Sequence, residues 1–300
     1  MIDTAGLRAT AVVVGGTLAA VGAAACWLLA DPEPSSLVGA VTLAAVSLLV
    51  GLGGLPVLGA RPSPIVVTVA AGVWGIGSVV GGWLQVAERA GISPLDVRGD
   101  QVTAGVESGL PVLVGVLGAA AVLCWVVAGF RTDPPESVVA VIAGVGVIAV
   151  SVTGHGGQSS WLPVVLGVHA VSAAWWFGSL GALVVTVRGR AGWARSLPEF
   201  SRRALPVVAA LTVTGIVAAG AQLGVGPQLW ETGYGRLLFA KSAGLVVLIA
   251  MAARHRRTWV PRAGRHAGTE RASIVRAGCE LAVLAAVLGI AAGLATTPPL

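Results

Sequence analysis

Charge is what this chain has least of. Only 11% of its 300 residues are charged, and Lys241 is the single lysine among nineteen basic residues. A soluble domain needs far more charge to face water, so that class is excluded first. Cysteine is scarce too. Cys26, Cys124 and Cys279 lie far apart and form no C-x-x-C, which removes a disulfide framework and a zinc site. Strict apolar–polar alternation is missing too: the apolar runs are long and continuous, which selects helices over a closed barrel.

What is there in quantity is hydrophobic residues, 56% of the chain, together with 43 glycines that let bare backbones pack closely between spans. Nine apolar runs of roughly span length stand out, over residues 9–30, 37–58, 65–86, 108–130, 137–153, 161–187, 204–223, 235–253 and 273–295. The fifth is short. The fold class is therefore all-α, a polytopic transmembrane helical bundle. The net charge of +6 reads as topology rather than as affinity for nucleic acid, because the arginines gather in particular loops. With the N-terminus inside, fifteen basic residues fall on the inner side and four (Arg89, Arg98, Arg236 and Lys241) on the outer, which predicts N-in/C-out.

The first run imitates a lipoprotein signal, with Arg8, an apolar core and AAAC at 23–26. Ala23 stands where a larger aliphatic is usual, and the run continues through Trp27, Leu28 and Leu29, which favours a retained span. The outer loop 87–107 carries mixed charge and reads as a solvated segment. The inner loop 254–272 is strongly basic and suits anionic lipid, and His255 and His266 within it read as solvated.

Chemistry concentrates in residues 154–182, GHGGQSSWLPVVLGVHAVSAAWWFGSLGA. His155 lies among glycines at the outer end of the fifth span, where a surface-loop histidine and a ligand are both open readings. His169 is nine residues past Ser160, so it sits roughly 13 Å into the membrane. An imidazole at that depth is a metal or haem ligand, a proton relay, or a hydrogen-bonded structural group. The H-x13-H spacing would put both rings on one face of a continuous helix, as in b-type cytochromes, but Gly156, Gly157 and Pro163 interrupt it. Lys241 and Glu280 lie about two turns inside opposite ends of their spans. A direct pair between them would need tilt and snorkelling over ~10 Å. Gly235-x4-Ala240-Lys241-Ser242 resembles a phosphate loop but lacks the second glycine and follows no strand, so no nucleotide-driven pump is read here, and the chain reads as a non-enzyme.

Several stretches resemble, in order, the copper-resistance D (CopD/PcoD-like) family of bacterial inner-membrane proteins. They are TGH at 153–155, LGVHAVSAAWWFGSLGAL at 166–183, FSRRALPVVAALTVTGIVAAG at 200–220, WETGYGRLLFAKSAGL at 230–245 and VRAGCELAVLAAVLGIAAGLATTPP at 275–299. The most specific is the T-x-Y-G-R-x-L-x-x-K pattern of the fourth. The likeness covers 137–300, a five-span core, and is general over the four spans of 1–136. It implies copper transport or handling in the cytoplasmic membrane, with a CopC-type extracytoplasmic copper protein as a partner. On that expectation His155 receives the ion and His169 holds it. Trp175 and Trp176 shape the helix contact. Tyr234, Arg236 and Lys241 line the outer approach, and Glu280 supplies an inner carboxylate. Cu(I) prefers thiolate, thioether and imidazole, and with only Met1 and Met251 and no cysteine pair, imidazoles have to serve, His155 and His169 first, with oxygen ligands open beside them. Two other classes stay open: a b-haem cytochrome using His155 and His169 as axial ligands, and an assembly subunit without metal or haem.

Overall fold

Hydrocarbon offers no hydrogen bonds, so each backbone N–H and C=O in a span must pair within the chain, and a continuous apolar run does so as a helix. The computed structural model describes residues 4–99, 101, 109–152, 161–223 and 228–297, and is all-helical among them. Helices follow all nine apolar runs: α1 Thr4–Ala25, α2 Ser35–Gly53, α3 Pro64–Ala90, α4 Leu110–Ala128, α5 Ser137–Val152, α6 Leu162–Thr186, α7 Gly189–Leu223, α8 Gly233–Thr258 and α9 Glu270–Thr296. Eight are long and apolar enough to cross a membrane, and α5, at 16 residues, is the shorter one. Side-chain hydroxyls cap two of them: Thr232 accepts from the Gly235 N–H at α8, and Thr269 from the Ala272 N–H at α9.

Two helices outrun the expected spans. Residues 189–203 continue upstream of the seventh apolar run as the first turns of α7, and α8 carries on through the basic stretch to Thr258. Arginine is a good helix former and nothing breaks α8 before Pro261. Its last turns therefore bring His255 and the buried Trp259, four residues apart, onto one packed face.

Helices α2, α6 and α9 form the interior, each more than half buried along its span, and the others surround them. The lipid-facing side of α3 shows Ile65, Val69 and Ile76. The most extensive pairing is α1 along α9, followed by α2 along α6. Both are close because glycines sit at the crossings. A Cβ on Gly22 would overlap the Ala286 carbonyl oxygen, and one on Gly289 the Ala19 carbonyl oxygen. At the second crossing a Cβ on Gly178 would overlap the Ser47 carbonyl, and one on Gly51 the Gly178 backbone. Small residues thus bring backbones into contact, as helix packing in lipid requires.

Polar ties close both ends. At the arginine-rich end the Arg8 guanidinium, buried at 5% exposure, donates to the carbonyls of Val184 and Val187 and to Glu270. It fastens the start of α1 to the end of α6 and the start of α9, and it satisfies carbonyls that the end of α6 leaves free. Replacing it with alanine is expected to cost about 2–3 kcal/mol, since charged hydrogen bonds are lost from a buried site. A fall in the thermal midpoint of purified protein would show this, and an unchanged midpoint would refute it.

At the opposite end Glu88, on α3, accepts the Ser35 N–H of α2 at 2.7 Å. Partial burial, with the Glu88 carboxylate nearby, raises the Glu33 carboxyl above its ordinary value. The folded chain then binds this proton more tightly than the unfolded one. Its stabilisation is complete below the unfolded value and is lost as pH rises through the folded one. The expected result is a midpoint that falls as pH rises through the range just above ordinary carboxylate titration, with a shallower fall in Glu33→Gln. An equal slope in the variant would assign the effect to other groups.

Candidate functional site

His169 lies near the middle of α6, half-buried, and faces α7. Its Nδ1 is 3.1 Å from the Leu211 carbonyl oxygen and 3.2 Å from Thr214 Oγ1. A carbonyl can only accept, so the proton sits on Nδ1 and is donated there. Thr214 spends its own proton on the Ala210 carbonyl at 2.6 Å and is left as a second acceptor. With Nδ1 so fixed, Nε2 keeps its lone pair, and no partner for it exists among the described residues. A bare imidazole nitrogen inside a span can hold a soft or borderline metal ion, or take a proton.

Gly215 makes room for the ring: a Cβ there would lie 3.1 Å from His169 Cε1. Lys241 lies on α8. It has no carboxylate partner among the described residues.

The other expected site residues are placed as follows. Trp175 stacks on Phe200 of α7 with ring centroids 5.8 Å apart, and Trp176 is fully buried, so both hold α6 in place. The buried Tyr234 donates its hydroxyl proton to Gln222, which joins α8 to α7. Arg236 donates from Nε to the Leu29 carbonyl at 2.8 Å, just past the end of α1. Both ties join α8 to neighbouring elements. His155 lies outside the described residues. Among the described residues, no group of three or more His, Cys, Asp or Glu gathers round one point.

One reading of a single residue is corrected. His255 is not solvated: it is half-buried, its Nδ1 lies 2.7 Å from Glu280 Oε2, and its ring meets Trp259 edge-on at 5.2 Å. Glu280, 3% exposed, is thereby committed to His255, and Lys241 makes no direct pair with it. The cause is the extra turn of α8 beyond residue 254, which carries the histidine back against α9. His266 is exposed, as expected.

Residues 194–294 match the family model of Copper resistance protein D. That stretch, about a third of the chain, is similar to this family. The chain is a multi-pass membrane protein related to copper resistance. No curated protein and no solved structure matches the chain. The copper resistance protein D stretch is narrower than 137–300 and begins after His169, yet it contains Leu211, Thr214 and Gly215, which position that ring. Sequence reasoning missed these three as site residues. The signal was present in the T-G pair at 214–215, which carries part of the family likeness.

Proposed function

We propose that this protein passes copper across the bacterial cytoplasmic membrane, N-terminus inside, with the Nε2 atom of His169 as the ligand within the bundle. One observation carries the proposal. The Leu211 carbonyl claims the Nδ1 proton, so a metal-ready nitrogen is fixed inside a span of a copper-resistance protein. Imidazole suits copper. Passage favours sparse ligation, because an ion that is held too well does not leave. On this reading His155 receives the ion at the outer face, where a CopC-type protein would deliver it.

The test is copper accumulation in cells, with elemental analysis and an absorption spectrum of the purified protein. His169→Ala is expected to abolish accumulation and His266→Asn to leave it intact. The asparagine tolerates the positive φ of 56° at that exposed position. His255→Ala is unsuitable as a control because it breaks the Glu280 pair. Equal loss in both variants would overturn the proposal. A Soret band in place of copper would replace it with a b-haem cytochrome. A co-purifying partner with neither copper nor haem would replace it with an assembly subunit. Thr214→Val, which removes one of the two acceptors at Nδ1, should weaken copper retention by about tenfold, at the lower end of losses seen for such supporting contacts. Wild-type retention in that variant would remove Thr214 from the site.

A further inference from the structure

At the arginine-rich end a cavity of about 420 Å³ opens between the last turns of α8, the turn that follows and the first half of α9. Arg254, Arg262 and Arg276 line it, with His255, Thr258 and Cys279. None of the three guanidiniums has an acidic partner among the described residues. The carboxylates nearest in sequence are already committed, Glu270 to Arg8 and Glu280 to His255. A second cavity at Pro56, Arg61 and Arg195 makes the contrast: it is lined by two arginines and also by Glu136, so it carries its own counter-charge.

Arginines that merely obey the positive-inside rule would spread over the headgroup surface. These three come from separate turns and converge on one concavity. Guanidinium forks match phosphate oxygens in pairs, and the cavity has the volume of a small-ligand site. We infer that this cavity binds a phosphate group, borne by an anionic lipid headgroup or free in solution. The inference is independent of the copper proposal and of His169. Val275, 46% exposed, adds an apolar wall beside the charges, as a headgroup with an adjoining acyl chain would meet.

Cys279 reports on occupancy. It is exposed and lines the cavity, whereas Cys26 is buried. In a Cys124→Ala background a water-soluble maleimide therefore reads Cys279. The full chain is labelled in detergent with inorganic phosphate or chloride at equal ionic strength, and in nanodiscs of phosphatidylglycerol or phosphatidylcholine. Occupancy slows labelling by 1 + [L]/Kd, about tenfold at nine times Kd. Slowing in phosphatidylglycerol alone assigns the site to lipid, and slowing by inorganic phosphate assigns it to the free anion. In either case the slowing should vanish in Arg262→Gln/Arg276→Gln. Surface potential acts alike on wild type and variant, so equal slowing in both, or none in either, overturns the inference. Should the double variant fail to fold, Arg262→Gln alone, at an exposed position, is expected to weaken protection.

Discussion

Gly178→Val is expected to yield no folded protein. The Cβ alone would overlap the Ser47 carbonyl oxygen, and two further methyl groups would follow it into the α2 backbone. Backbone cannot swing aside as a flexible side chain can, so α2 and α6 would have to part along their length. Both belong to the buried interior, where Leu49, Leu52, Leu180 and Leu183 are fully enclosed. Overpacking in a close-packed core costs about 1–3 kcal/mol, and separating two central helices exceeds that range. Gly144→Ala is the matched control, because a Cβ on Gly144 meets no atom within 4 Å and alanine favours the helix. Size-exclusion profiles of the two variants decide the matter. A monodisperse Gly178→Val with the wild-type midpoint would show that the crossing is looser than described.

Glu280→Ala should destabilise the bundle by about 3–5 kcal/mol, the usual effect of removing one partner from a buried pair. His255 would keep a polar Nδ1 against Trp259 with nothing to receive its proton. Glu280→Gln retains an acceptor oxygen and should lose much less. Removing both members in His255→Ala/Glu280→Ala should cost less than the sum of the single changes. Strict additivity of the three midpoints would mean that the two side chains do not interact.

The nine helices were legible because lipid forces a one-to-one relation between a long apolar run and a span. Their ends were less so. Residues 189–203 and 254–258 are charged, and hydropathy counts them as loop, yet arginine-rich turns continue a helix freely until Pro261 stops it. His255 was misplaced for that reason. The depth of His169 followed from counting. Its partners could not be read from spacing, because Leu211 and Thr214 are 42 and 45 residues away on a different helix. Only the packing of α6 on α7 brings them to the ring. Tyr234 and Arg236 show the converse: a specific motif marked them, but their partners Gln222 and Leu29, elsewhere in the chain, could not be read from it.

The long reach of α1 sets an order of events at the ribosome. This helix is made well before its main companion, α9, and Arg8 must wait 262 residues for Glu270. Until α9 is made, α1 therefore rests in the bilayer with its glycine face and its buried arginine unmatched, and the seam closes only once α9 has left the ribosome. Any nascent chain halted before residue 270 would present that unfilled seam to membrane quality control, so premature termination should be cleared rather than tolerated as a shorter working protein.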